Sequence, residues 1–174
     1  MSSPFLVPPR RLFLIACAAT AAAACGTAFA LDEPAGKVIL SITGDLKMRN
    51  AVEGANFDLA MLKKLPQHSF STKTPWYAEP RKFTGVALRD LLDAVGAKGK
   101  TVKAVALNDY RVEFPLDDAL RGEALVAYSV DDKPVSVRDK GPLMLMFPFD
   151  ARPDLRTAVN YSRAAWQLKA LELR

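Results

Sequence analysis

The chain has 174 residues, of which 50% are hydrophobic and 25% are charged, as in a soluble globular protein of about one domain. Twelve prolines against nine glycines argue against a coiled coil, a collagen-like chain and a disordered acidic tail. The formal net charge is +5, but basic and acidic residues are interspersed and form no basic helix or aromatic RNA-binding motif. We therefore expect no nucleic-acid partner.

The first 30 residues have the features of a secretory signal peptide. Two consecutive arginines precede an apolar, alanine-rich stretch that ends in Ala-Phe-Ala, a small-x-small cleavage site. We expect cleavage after Ala30, a single mature domain at 31–174, and export to the bacterial periplasm. One alternative is a membrane anchor, because residues 12–30 are uncharged and just long enough to span a bilayer. The paired arginines also resemble in part a twin-arginine export signal.

Cysteine and histidine are nearly absent from the predicted mature domain. Both cysteines, Cys17 and Cys25, lie in the predicted signal, and His68 is the one histidine of the chain. Without a thiol, the domain has no disulfide, no thiolate metal ligand and no cysteine nucleophile. A single histidine does not build the usual zinc, copper or haem sites, so we expect no bound metal. We also expect a structural or surface role for His68 rather than a place in a catalytic triad.

The first half of the mature chain predicts two strands and a helix between them. A β-rich run at 37–42 predicts the first strand. Residues 57–66 predict a short helix, with Asp58 as its N-cap and Pro66 as its stop. The alternating stretch 67–73 predicts the next strand.

The second half predicts one more helix and then mainly strands. Apolar residues spaced i, i+3, i+4 and i+7 over 88–95 predict the helix, which Gly96 can close. The run at 143–148 is continuously apolar, as in a strand that is buried on both faces. The other predicted strands lie at 102–107, 111–114, 124–130, near 135, and at 166–173. Together these elements predict one α+β domain, rich in strands, with two short helices.

An ordered series of short motifs resembles the molybdopterin-binding domain of sulfite-oxidase-type oxidoreductases. The series is FDL at 57–59, FTGVALRDLL at 83–92, NDY at 108–110, RDKGPL at 138–143, and a closing Trp166. It extends over nearly the whole predicted mature chain. The resemblance implies the strand-rich sulfite-oxidase fold with short helices and a cofactor of the pterin type.

Two departures from the family's pattern concern the cofactor. The family's enzymes hold molybdenum through one cysteine, and the corresponding stretch at 71–76 contains none. The enzymes also carry a Ser-x-Lys before the final tryptophan, where it contacts the cofactor phosphate. Here the lysine position is occupied by Ala165. Without a thiolate ligand, oxygen-atom transfer by molybdenum is not expected.

The chain is more similar to the small, single-domain periplasmic branch of this fold. The segments SVRDKGP at 136–142 and YSRAAWQL at 161–168 are characteristic of that branch. Some of its members bind a free pterin and report it to the periplasmic domain of a membrane-bound enzyme that makes or degrades cyclic diguanylate. The resemblance thus implies a free pterin in preference to molybdopterin, and such a membrane enzyme as the partner.

A pterin is a flat, polar ring, so its site needs an aromatic face and groups that read its amino-pyrimidinone edge. Two aromatic rings would stack on it, an amide and a carboxylate would read the edge, and three cations would hold a hydroxylated or phosphorylated side chain. The aromatic candidates are Trp76 and Tyr110, and the candidates for the edge are the Asn108 amide and the Asp109 carboxylate. The three candidate cations are Arg138, Lys140 and Arg163.

Each candidate also has an ordinary structural interpretation. Residues 108–110 are a plausible β-turn between two strands, because Asn and Asp favour such positions. Trp76 would serve equally as a core or loop anchor. Residues 138–141 would form a solvated turn with a weak internal ion pair, and Arg163 would lie on the surface of an edge strand. Trp166 is predicted to be a core residue, because it alternates with apolar positions.

Three functions remain open at this stage. The main hypothesis is a periplasmic pterin-binding module without chemistry of its own, which signals to a membrane partner through its bound or unbound state. The alternative is a molybdopterin-dependent oxidoreductase, or its accessory subunit, whose metal would be held without a protein thiolate. The third is a scaffold with a vestigial pocket that binds a partner through its surface alone.

Overall fold

The structure, a computed structural model, consists of two β-sheets with short helices between their strands. It describes residues 31–174, and the predicted signal peptide at 1–30 lies outside the described residues. The strands are β1 (Leu40–Thr43), β2 (Gly54–Phe57), β3 (His68–Thr74), β4 (Tyr77–Ala87), β5 (Thr101–Ala106), β6 (Arg111–Pro115), β7 (Leu125–Val130), β8 (Lys133–Pro134), β9 (Met144–Met146) and β10 (Leu168–Leu173). The helices are α1 (Leu59–Lys64), α2 (Leu88–Ala94), α3 (Leu116–Arg121) and α4 (Ala158–Arg163).

The first sheet has the strand order β2-β1-β10-β5-β6. Its central strand β10, the last of the chain, runs parallel to β1 and antiparallel to β5. The hairpin turn between β5 and β6 therefore lies next to the segment that leads into β10. This arrangement brings residues near 108 close to residues near 166.

The second sheet has the order β3-β4-β7-β8, and β9 pairs with β7. A two-residue turn, Pro75-Trp76, joins β3 to β4, since Thr74 pairs directly with Tyr77. All three residues of β9 are buried, as its continuous apolar run predicted. Side chains from both sheets form one apolar core; its largest fully buried members are Phe57, Phe83, Phe147 and Phe149.

The prediction of a strand-rich α+β domain is confirmed, but the expected number of helices is wrong. Residues 31–174 contain four α-helices, and the sequence predicted only α1 and α2. Helix α4 has no buried residue, so it carries no apolar period from which it could be predicted. Strand β4 was also missed, because its first half is mostly exposed and contains Pro80. None of the helices in the described range is long and apolar enough to cross a membrane.

Asp58 is the predicted N-cap of α1, and the structure confirms that role. One carboxylate oxygen accepts the backbone N–H of Met61 at 2.8 Å, and the other accepts that of Gly36 at 2.7 Å. The carboxylate therefore joins the start of the helix to the segment that precedes β1. The hydrogen bonds from Met61 and then Gly36 lower the pKa of Asp58 below its usual 3.8.

We expect Asp58→Asn to lower the Tm at pH 7 by about 2–4 °C, because the amide has one acceptor oxygen where the carboxylate has two. Since the folded state lowers the pKa, the ionised form stabilises the protein above about pH 4 and this contribution disappears as the pH falls through the folded pKa. The Tm difference between the two proteins should therefore shrink below pH 4. Glu53→Gln, at an exposed position, is the control. A difference that persists unchanged at pH 2.5 would contradict the assignment.

Candidate functional site

Three aromatic rings from distant parts of the chain meet at one end of the sheets. Trp76 comes from the β3–β4 turn, Tyr161 from α4, and Trp166 from the bend before β10. The ring centroids of Trp76 and Trp166 lie 5.2 Å apart at 63°, and those of Trp76 and Tyr161 lie 6.2 Å apart at 85°. These are edge-to-face contacts, which aromatic pairs favour.

The prediction that Trp166 belongs to the core is wrong. Its side chain is 38% exposed and forms a wall of a cleft. Strand β10 begins only at Leu168, and Gln167 has a φ of +51°, so the alternation of the strand does not extend back to Trp166. Trp166 and Tyr161 thus line the cleft, although neither is among the predicted pterin-binding residues. The signal that could have found them is the closing segment at 161–168, which already carried part of the resemblance.

Beside the aromatic rings lies a cleft of about 250 Å³. The Tyr110 hydroxyl donates a hydrogen bond to the Ser162 carbonyl at 2.7 Å, which holds the β5–β6 turn against the end of α4. The cleft is lined by Asn108, Tyr110, Tyr161, Ser162, Ala164 and Trp166. Two of the predicted site residues, Asn108 and Tyr110, therefore lie together in it.

Lys140 supplies a positive charge next to the aromatic cluster. Its ammonium lies 5.1 Å from the ring centroid of Trp166 and 5.1 Å from that of Tyr77, within the range of a cation–π contact. The residue has a φ of +77° at the end of a short 3-10 turn, and its carbonyl accepts the backbone N–H of Gln167 at 2.8 Å. Lys140 is thus fixed to the same bend that carries Trp166.

Contacts within the protein account for Asn108 and Asp109 in the turn at 108–110 without a ligand. Asp109 has a φ of +62°, and the Asn108 side-chain oxygen accepts the backbone N–H of Tyr110 at 3.1 Å. The Asp109 carboxylate lies 3.1 Å from the Lys169 ammonium and is 72% exposed. The hydrogen bond from Lys169 lowers the pKa of Asp109. Asp109 is therefore engaged outside the cleft, while its two neighbours line it.

Arg163 faces away from the aromatic cleft. It lies in the last turn of α4, donates to Asn160 at 3.0 Å and to Asp118 at 3.2 Å, and is 17% exposed. Its guanidinium lies 5.4 Å from the ring centroid of Phe114. Arg138 is exposed in the 3-10 turn beside Lys140. The structure thus brings Trp76, Asn108, Tyr110 and Lys140 together, but not Asp109, Arg138 and Arg163.

A second, more polar cleft of about 550 Å³ lies on the other side of Tyr161. Lys73, Thr74 and Pro75 line it from the end of β3, which is the stretch where the family's enzymes carry their cysteine. Asp150 accepts the backbone N–H of Lys73 at 2.8 Å and the Arg156 guanidinium at 2.7 Å. Both charged side chains of the far wall are therefore already paired with each other.

The residues fit the organic part of the implied molybdopterin better than its metal. The Thr74 hydroxyl and the Trp76 indole N–H are buried and have no hydrogen-bond partner among residues 31–174, as expected beside a site for a polar group. The resemblance implies a cysteine thiolate as the molybdenum ligand, and positions 71–76 supply hydroxyl, ammonium and indole groups instead. Within the described range, no cluster of three His, Cys, Asp or Glu side chains could hold a metal ion.

We expect Arg163→Ala to lower the free energy of unfolding by about 1–3 kcal/mol, since it removes two hydrogen bonds and the packing against Phe114. Arg138→Ala is the matched control, and an exposed arginine should change the free energy by less than about 0.5 kcal/mol. Urea unfolding followed by fluorescence measures both. Equal effects of the two substitutions would show that the Arg163 contacts do not stabilise the fold.

Comparison with known proteins agrees with the fold. The family model for the oxidoreductase molybdopterin binding domain matches residues 39–150. The solved structure of the sulfane dehydrogenase SoxCD from Paracoccus pantotrophus is similar with a TM-score of 0.57 at 16% identity, which shows a shared fold. The match covers 77% of this chain but 37% of that chain. The comparison with curated proteins gave no match. The family match spans more than half of the chain, and the chain therefore belongs to the oxidoreductase molybdopterin-binding domain family.

Proposed function

We propose that the protein binds a free pterin in the periplasm and has no chemistry of its own. It would act as a ligand sensor or accessory protein for a membrane signalling partner. The observation that carries this proposal is the cleft between Tyr110 and Trp166, with its aromatic wall and neighbouring lysine, in a domain whose sequence lacks the molybdenum-binding cysteine. The signal-like sequence at 1–30 supports the periplasmic location.

The size of the cleft favours a small bicyclic ring. Pockets for drug-sized ligands span about 300–1,000 Å³, and this cleft has about 250 Å³. A pterin ring would stack against the exposed indole of Trp166, which is held in place by its edge-to-face contact with Trp76. Lys140 would move along the ring face as the ligand enters, because its flexible side chain is held there only by cation–π contacts.

Polar groups at the mouth of the cleft can read the pterin edge. The Asn108 side-chain oxygen already accepts a backbone N–H, so its amide nitrogen remains to donate to the ring carbonyl. The Tyr110 hydroxyl gives its proton to the Ser162 carbonyl, so its oxygen remains to accept from the ring amino group. These two residues therefore supply one donor and one acceptor on the same wall.

The polar cleft beyond Tyr161 would take the substituent on the pterin ring. Thr74 lines this cleft, and its hydroxyl, which has no hydrogen-bond partner among residues 31–174, would gain one from a hydroxylated chain. Neighbouring side chains cover this hydroxyl, so Tyr161, which lines both clefts, would have to turn aside. Binding would then shift Tyr161 on α4 relative to the bend before β10.

The proposed partner is the periplasmic domain of a membrane-bound enzyme that makes or degrades cyclic diguanylate. The resemblance to the small periplasmic branch of the family supports this partner. Ligand binding changes the affinity of a partner only if the two ligand states present different surfaces. The bend that carries Trp166 is the element through which we expect the two states to differ.

A second candidate function is a molybdopterin-dependent oxidoreductase, or its accessory subunit. Membership of the molybdopterin-binding domain family favours it. It would require that the metal be held without a protein thiolate, which the residues at 71–76 do not offer. Reduction of an oxygen-atom donor, such as dimethyl sulfoxide or trimethylamine N-oxide, by the exported protein with a dithionite-reduced viologen dye would support this function. An absence of turnover would leave pterin binding as the better account.

We expect neopterin, in oxidised and tetrahydro forms, to quench the intrinsic fluorescence of the protein, because both tryptophans of the chain lie at the cleft. Trp166→Ala should weaken binding at least about tenfold, since the loss of ring contact area and stacking exceeds about 1.4 kcal/mol. Titration calorimetry provides the affinities independently of the fluorescence.

The matched substitutions Tyr110→Phe and Tyr128→Phe compare the loss of a phenolic hydroxyl at the cleft with the same loss elsewhere in the fold. Each substitution removes one phenolic hydrogen bond, to the Ser162 carbonyl and to the Gln67 side chain respectively. Only Tyr110→Phe should reduce pterin affinity, by about 3–10-fold. Equal affinities of the wild type, Trp166→Ala and Tyr110→Phe would contradict this site.

A further inference from the structure

An exposed apolar groove of about 300 Å³ lies beside the aromatic cleft. We call it the lateral groove. Its walls include Val38, Leu107 and Val137, which are 41%, 45% and 49% exposed, and Ile39, Pro142 and Ala170 are the other apolar residues of its lining. Single exposed apolar residues are common, but several that line one groove indicate an interaction site.

The lateral groove and the aromatic cleft share the same two turns. The β5–β6 turn places Leu107 in the groove and Tyr110 in the cleft. The 3-10 turn places Val137 in the groove and Lys140 over the Trp166 ring. A ligand that moves either turn on the cleft side would therefore move a wall of the groove.

Gln167 connects these two turns directly. Its carbonyl accepts the backbone N–H of Leu107 at 2.9 Å, and its own backbone N–H donates to the Lys140 carbonyl at 2.8 Å. Its side-chain amide donates to the Val137 carbonyl at 2.8 Å. The residue next to the indole of Trp166 thus holds both walls of the lateral groove.

The charges around the lateral groove favour an acidic occupant. Lys37 and Lys169 line it, and Arg138 is exposed beside Val137. Asp109 pairs with Lys169 and Asp139 accepts from the Ser136 hydroxyl, whereas Lys37 and Arg138 form no ion pair within residues 31–174. The groove is lined by strands and turns, whereas interfacial membrane binding uses an amphipathic helix whose apolar face carries Trp, Phe and Leu. Strand β1 is paired on both edges, so an added β-strand is not the mode of binding there.

We propose that the lateral groove docks an acidic, amphipathic segment of a partner protein, and that Gln167 couples this docking to occupancy of the aromatic cleft. The segment would place aliphatic side chains between Leu107 and Val137 and carboxylates next to the surrounding cations. The coupling, but not the docking, rests on the proposed pterin binding.

The docking test uses a synthetic helical peptide with leucines on one face and glutamates on the other, and its lysine counterpart. NMR shift mapping on the exported protein should place the acidic peptide at the lateral groove and show binding at least tenfold weaker for the lysine peptide. Leu107→Ser with Val137→Ser should weaken the acidic peptide at least tenfold and leave neopterin affinity within twofold. Val52→Ser, at a residue that is 97% exposed elsewhere, is the control.

Three outcomes of the docking test would overturn the proposal. The first is acidic-peptide binding that the double variant does not weaken. The second is groove-dependent binding to vesicles with 30% phosphatidylglycerol in place of the peptide, which would make a lipid surface the occupant. The third is a concentration-dependent dimer that the double variant abolishes, which would make a second copy the occupant.

The coupling test compares peptide affinity with and without saturating neopterin. Wild type should show at least a fivefold difference, and by linkage the peptide should change neopterin affinity by the same factor. Gln167→Ala should reduce the difference below twofold. Gln67→Ala, which removes side-chain hydrogen bonds with Leu62, Leu65 and Tyr128 at a residue that lines neither the cleft nor the groove, should preserve it. An undiminished difference in Gln167→Ala would overturn the coupling. If neopterin does not bind at all, the proposed function fails, and the docking test still decides on the groove.

Discussion

The bend at 164–167, which leads into the central strand β10, is the constraint on which the site depends. Its backbone is bound on three sides. The Ala165 carbonyl accepts the backbone N–H of Leu145 in β9, and the Gln167 carbonyl accepts that of Leu107. The backbone N–H of Gln167 donates to the Lys140 carbonyl. Because β10 is paired with both β1 and β5, the bend is anchored at this end of the first sheet, and Trp166 projects from it toward Trp76.

Elements with strong local signals could be predicted from the sequence. The cap at Asp58, the apolar spacing over 88–95 and the continuous apolar run at 143–148 each specify a local structure whatever the rest of the chain does. Helix α4 could not be predicted in this way, since none of its residues is buried. The positive φ of Gln167 likewise gives no signal in a side-chain pattern, and this is why Trp166 was assigned to the core.

The candidate site was predicted in part for a related reason. Trp76 and Tyr110 were chosen for their aromatic chemistry, and tertiary packing brings both to the cleft. Asp109 and Arg163 have the right chemistry for a pterin, but each finds a nearer partner inside the fold, in Lys169 and Asp118 respectively. The residue type can indicate a ligand-binding group. Only the three-dimensional structure shows which of these groups already have ion-pair or hydrogen-bond partners within the fold.

The proposed function requires that this member of a molybdopterin-binding family hold the organic ring without the metal. Its most direct test is on protein exported by a bacterial host, purified gently and then denatured. Fluorescence and mass spectrometry identify the released small molecules, and elemental analysis measures molybdenum in the same sample. The account predicts a fluorescent pterin at about one per chain, without stoichiometric molybdenum. Stoichiometric molybdenum together with a dithiolene-bearing pterin would contradict it.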